Sequence, residues 1–208
     1  MASVTKTYTL TTPEGGSGNT PLKIKAKTAN LGNRVAQTDT YTVTATGVTP
    51  NKTYTATLVA ASEFVLFDEG AEMSVAKTGG NVTITGTSNS SKLTFTKGAG
   101  SIITVDIAAI KYEASGVQTT NGAAITGDPG AKAKYVFTLT LTASSNGTTS
   151  ERTQQITVTA NGSQTKTITL KQAAGDAYLN LSDTAIEVPQ NGTEVTINVT
   201  TNTTFSIS

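Results

Sequence analysis

Few kinds of side chain in this 208-residue chain could do chemistry. There is no histidine and no cysteine, which excludes a histidine general base, a thiolate nucleophile, imidazole or thiolate metal sites and a disulfide frame. What remains is 14 carboxylates and 15 basic residues. Asp68, Glu69 and Glu72 lie close together, and Asp128 opens an Asp-Pro-Gly triplet. Two carboxylates on a β scaffold could hydrolyse a glycosidic bond, and regularly spaced acids in a loop could hold calcium. Neither cluster has the calcium-loop spacing, and no catalytic pair stands out among acids spread along the whole chain. Asp128-Pro129-Gly130 is explained by turn chemistry. Gly15-Gly16-Ser17-Gly18 lacks the helix and lysine of a phosphate loop and reads as linker. The expectation is a non-enzyme with no catalytic residues, no metal and no cofactor.

Two groups could instead make contacts. Lys23, Lys25 and Lys27 alternate with Leu22, Ile24 and Ala26, so all three project from one strand face. Such lysines either guard a sheet edge or meet an acidic partner. Tyr112 and Glu113 fall in the least regular stretch, from about 98 to 134, which also holds Asn121 and Asp128. Long loops on rigid sandwiches often carry binding, so Tyr112 and Glu113 are candidate loop contacts. The other reading of this stretch makes Ile102 to Ile110 one more core strand and the rest a flexible tip.

The elements that would position these residues are strands. Threonine supplies 44 residues, β-branched and polar, suited to the wet face of a sheet. Tyr41, Val43 and Ala45 alternate with threonines, as do Phe137, Leu139 and Leu141. Ile156, Val158 and Ala160 repeat the pattern, and so do Val195, Ile197 and Val199. Period two with one apolar face predicts half-buried antiparallel strands. Gly79-Gly80-Asn81, Asn121-Gly122, Asn146-Gly147, Asn161-Gly162 and Asn191-Gly192 predict tight hairpin turns. No stretch has helical periodicity. The fold class expected is all-β, with tandem Ig-like antiparallel β-sandwich domains. Val48-Thr49-Pro50-Asn51-Lys52-Thr53-Tyr54 resembles a tyrosine corner, in which the Tyr54 hydroxyl would tie down a crossover. Tyr8, Tyr41, Tyr54, Tyr135 and Phe137 alternate with threonine and are expected in the core.

Two internal similarities set the boundaries. Phe64-Val-Leu-Phe with Met73, Val75, Val82 and Ile84 parallels Tyr178-Leu-Asn-Leu with Ile186, Val188, Val195 and Ile197. Arg34, the run from Tyr41 and the run from Lys52 parallel Arg152 and the runs from Ile156 and Lys166. Each pair places a closing hairpin just before an opening aromatic strand, which predicts a repeat. The units are 1–62, an N-terminal β domain that could serve attachment; 63–175, an Ig-like sandwich; and 176–208, the first strands of a further domain. The last is too short to bury a core alone. Its stop at Ser208, inside a strand pattern, reads as a truncated view of a longer fibrous protein.

The balanced charge, formally +1, gives no footprint for nucleic acid or an anionic membrane. The longest apolar runs are too short to span a bilayer. Met1-Ala2-Ser3-Val4-Thr5 has no signal-peptide pattern, which predicts synthesis in the cytosol.

Tyr178 to Ser208 resembles the opening half of a BACON domain, the Bacteroidetes-associated carbohydrate-binding Ig-like module. The matching features are an apolar-Ser opening, a turn at Pro189-Gln190-Asn191-Gly192, the strand Val195-Thr196-Ile197, and Asn202-Thr203-Thr204-Phe205, where Phe205 replaces the family's usual tryptophan. Arg152 to Ala174 resembles the family's closing strands, ending in a Gln-Ala element. The resemblance implies an Ig-like fold and, by the family's name, a surface glycan as partner. Similar modules occur in structural proteins of crAss-like phages. That setting implies a virion structural protein (a head fibre, capsid decoration or tail-associated protein) on the particle surface. Its partners would be capsid or tail proteins and itself as a homo-oligomer, such as the trimer common among viral fibres. The lysine face would then meet the capsid. The alternative is a carbohydrate-binding or adhesin module of a Bacteroidetes surface protein.

Overall fold

The computed structural model describes residues 8–11, 23–26, 32–162 and 164–208. It is all-β, with one turn of 3₁₀ helix at Ile107–Ala109. The first strands are β1 (Tyr8–Thr11), β2 (Lys23–Ala26), β3 (Gln37–Val43) and β4 (Lys52–Leu58), which pair as two antiparallel hairpins, β1 with β2 and β3 with β4.

A sandwich follows, built from β5 (Val65–Phe67), β6 (Glu72–Val75), β7 (Gly80–Ser88), β8 (Leu93–Lys97), β9 (Lys111–Ala114), β10 (Val117–Thr120), β11 (Tyr135–Ala143), β12 (Arg152–Ala160) and β13 (Thr165–Gln172). One sheet runs β10-β9-β11-β7-β5 and the other β6-β13-β12-β8, with β6 parallel to β13 and the remaining pairs antiparallel. The chain closes with β14 (Leu179–Leu181) paired to β15 (Val199–Thr201).

Alternation builds the core. On β11 Tyr135, Phe137, Leu139, Leu141 and Ala143 point in; on β12 Gln154, Ile156, Val158 and Ala160 do. Phe137 sits centrally, edge-on to Phe67 at 6.1 Å and to Phe95 at 5.8 Å. Room for it is made by Gly86, directly opposite on β7, where a Cβ would lie 2.2 Å from the Leu66 carbonyl oxygen and 2.4 Å from the Phe137 ring. A glycine inside a strand often marks such a close approach.

Four expectations change. Asn161-Gly162 turns the tight β12–β13 hairpin, and Asn191-Gly192 forms a reverse turn closed by the Gly192 N–H on the Pro189 carbonyl, within the longer connection from β14 to β15. Gly79-Gly80 leads from β6 into the other sheet, while Asn121 and Asn146 serve as locks: their amides bond backbone that has no ladder partner. The β9–β10 turn is Ser115-Gly116, with positive φ at both residues, as a two-residue hairpin requires. Ile102 to Ile110 is not a strand. Ile102, Ile103 and Ile107 reach the core from a bridge to Ala143 and from the 3₁₀ turn. Nor is the rest of that stretch a loose tip, since β9, β10 and Ile125 pack into the sandwich. Finally, residues 44–51 close the β3–β4 hairpin and are not a crossover, so Tyr54 is no tyrosine corner. Its ring stacks on Tyr41 at 5.2 Å.

The internal similarities reappear as strand register. Tyr41 faces Tyr54 and Val43 faces Lys52; the matched Ile156 faces Ile168 and Val158 faces Lys166. Val65 faces Ser88 and Phe67 faces Gly86; the matched Leu179 faces Thr201 and Leu181 faces Val199. Register is fixed by apolar pattern and turn length, so matching sequences have produced matching pairings.

Candidate functional site

Lys23 and Lys25 lie on β2 opposite Thr11 and Thr9, and Lys25 is exposed. Lys27 lies outside the described residues, so the three-lysine face is seen only in part. Lys25 is thus an exposed cation on this hairpin, in line with either an edge guard or a contact for acidic groups.

Tyr112 is not a loop contact. It sits on β9, only 1% exposed, tilted against Phe95 at 5.1 Å, and its hydroxyl accepts the Leu93 N–H at 3.2 Å. Burial raises its pKa above the usual value for a phenol. The same cause raises that of Tyr135, whose hydroxyl donates to the Ser90 carbonyl at 2.9 Å. The stretch looked like a loop because Gly, Ala and Thr dilute its period, but Tyr112 and Ala114 alternate inward and Lys111 and Glu113 outward.

Glu113 therefore faces solvent. Gln118 on β10 and Thr138 on β11 are its register partners, making one polar row across three strands. With Lys111 and Thr140 this row borders a shallow open depression on the outer face of the sheet. It offers hydrogen-bond donors and acceptors on a rigid surface, without an exposed aromatic ring to stack on a sugar.

Glu69, Glu72 and Asp128 each hold a structural contact. Glu69 accepts from the Thr85 N–H at 2.8 Å and hydroxyl at 3.0 Å, and Glu72 pairs with Lys171 at 2.8 Å. Asp128 receives both its oxygens' bonds from Arg34, which also donates to the carbonyls of Asn89 and Gly130 and lies 3.6 Å from Glu63. Sequence reading noticed Arg34 and Asp128 separately but had no means of joining residues so far apart. Among the described residues no cluster of three His, Cys, Asp or Glu could hold a metal, and no helix is long and apolar enough to cross a membrane.

No family model matches the chain. No curated protein matches it either. Among solved structures it is similar to domains 4 and 5 of the S-layer protein SbsC, at 14% identity over 76% of this chain and 86% of that one, TM-score 0.34. Against domains 4–9 of the same surface layer protein the identity is 14% over 85% and 30%, TM-score 0.36. A Bacteroides ovatus GH5 xyloglucanase, solved with a XXXG heptasaccharide, gives 19% identity and TM-score 0.34; the match covers 55% of this chain and only 20% of that enzyme's.

Proposed function

We propose that this chain is a non-enzymatic structural protein of a bacteriophage virion, in which tandem Ig-like sandwiches act as spacer and display surface. The observation that carries this reading is the repeated register, which makes the flanking hairpins pieces of the same sandwich design as residues 65–172. Tandem β units give reach through stacking, and their outward threonine rows give a polar face without charge. The BACON-like sequence pattern supplies the phage setting, with capsid or tail proteins as partners and self-association into an oligomer such as a trimer. Lys23 and Lys25 are the contact proposed for an acidic capsid surface.

Mass spectrometry and antibody labelling of purified particles test this. The chain should be found at stoichiometric amounts on the particle exterior. Its absence from particles, with presence on a bacterial surface, overturns the reading.

The polar row Gln118–Glu113–Thr138 favours a second reading, a glycan-binding surface module. In a glycan array, binding lost in Glu113→Ala would favour it. The burial of Tyr112 weakens it, because the aromatic it needed is in the core.

A further inference from the structure

The backbone between consecutive units has a bonding problem. Its N–H and C=O groups leave one sheet before joining the next, so no ladder satisfies them. At the first junction the answer is Asn89, buried just past the end of β7. Its Oδ1 accepts the Phe64 N–H at 2.8 Å, and its Nδ2 donates to the carbonyls of Ser62 and Gly32, each at 3.0 Å. The preceding Ser88 hydroxyl donates to the Phe64 carbonyl at 2.7 Å and accepts the Ser90 N–H at 2.9 Å. Beside them the Ala61 N–H reaches the Asn33 carbonyl at 2.7 Å.

Every one of these bonds recurs at the second junction. Asn202 Oδ1 accepts the Tyr178 N–H at 3.1 Å, and its Nδ2 donates to the carbonyls of Asp176 and Gly147, each at 2.9 Å. The Thr201 hydroxyl donates to the Tyr178 carbonyl at 2.6 Å and accepts the Thr203 N–H at 3.1 Å. The Gly175 N–H reaches the Thr148 carbonyl at 2.7 Å. Phe64 and Tyr178 are matched in the internal repeat, Asn89 and Asn202 each directly follow the strand that pairs with the opening one, and Gly32 and Gly147 each lie five residues before a closing hairpin.

We propose that Asn89 and Asn202 are two copies of one inter-domain clasp. Its partner is the linker backbone together with the pre-hairpin loop of the preceding unit, and it sets how each unit stacks on the last. An asparagine suits the task because one short side chain brings an acceptor and two donors. The acceptor side ties the clasp to the first strand of its own unit, and the two donors reach back to the linker and the earlier unit. Charged contacts differ between the junctions, Arg34 with Asp128 at the first and Lys77 with Asp176 at the second. The shared feature is the amide and its hydroxyl neighbour. The clasp stands independently of where the chain is displayed.

The test is NMR on the full chain with substitutions at Asn202, which lies outside the 65–172 core. In Asn202→Ala, amide exchange protection at both Gly175 and Tyr178 should fall by about tenfold or more. Tumbling of 178–201 should also uncouple from that of 65–172, with the denaturation midpoint of the sandwich unchanged. Asn202→Asp keeps the acceptor but loses both donors, so Tyr178 should stay protected while Gly175 loses protection. Unchanged protection at Gly175 and coupled tumbling in either variant overturns the clasp. Because the measurement needs no particle, its failure leaves the virion reading standing, and the failure of that reading leaves the clasp standing.

Discussion

The sandwich of residues 65–172 and the segment 178–207 begin alike and end differently. Both open with a three-residue strand paired in the same register to a later one, and both anchor it with a hydroxyl and an asparagine. Yet Ile84 is 0% exposed and its match Ile197 is 37%; Val75 is 6% exposed and Val188 is 64%. Strand pairing and turn geometry are local properties of a sequence, whereas burial needs the opposite sheet. The segment shows this residue by residue. Its strand β15 covers only Val199–Thr201, the part that meets β14, while the matched β7 runs the full Gly80–Ser88 because β11 pairs along it.

The largest effects should come from side chains that have a core in one region and none in the other. Phe137→Ala should cost about 3–5 kcal/mol in urea unfolding, since it empties the centre of the sandwich. Ile84→Ala should cost about 2–5 kcal/mol, but the matched Ile197→Ala under about 0.5 kcal/mol. Equal costs at the last two positions would break the comparison.

Gly86 and Val199 occupy matched register positions. Gly86→Val drives a branched side chain into the Leu66 carbonyl and the Phe137 ring, and should destabilise by about 3 kcal/mol. Val199→Gly should cost no more than about 1 kcal/mol. Thermal melts of the two variants separate these outcomes.

Tyr112→Phe should cost about 1–3 kcal/mol, because the buried Leu93 N–H loses its acceptor. The core tyrosines also predict a pH dependence. Burial raises the pKa values of Tyr112 and Tyr135 in the folded protein. In the unfolded chain both lose their protons near pH 10. Unfolding therefore releases protons above that pH, so stability should be level up to about pH 10 and fall beyond it. Denaturation midpoints measured from pH 8 to 11.5 check this, and in Tyr135→Phe the alkaline fall should be shallower.

Much of the architecture was legible because period two is a strong signal wherever one face is apolar. Tyr41 and Val43, Phe137 to Leu141, and Ile156 to Ala160 lie on the strands expected of them. The repeat was legible for the same reason, since matching patterns pair in matching registers. The candidate contacts were less so. Tyr112 and Glu113 are neighbours with opposite fates, and only the pairing of β9 with β10 and β11 shows which faces inward. Asn-Gly pairs read as hairpin turns because φ preference is local, yet Asn121 and Asn146 were placed by distant backbone needing a partner. Asn89 escaped notice for that reason too, and Asn202 counted only as part of the BACON-like pattern, although Thr87-Ser88-Asn89-Ser90 and Thr200-Thr201-Asn202-Thr203 are visibly alike.

Interstrand nuclear Overhauser contacts in the full chain test the repeated design most directly. The account predicts contacts joining Phe67 to Gly86 and Leu181 to Val199, with Tyr41 to Tyr54 matching Ile156 to Ile168. A one-residue slip in either flanking hairpin would turn its apolar residues to the other face and would contradict the claim that these units share one sandwich design.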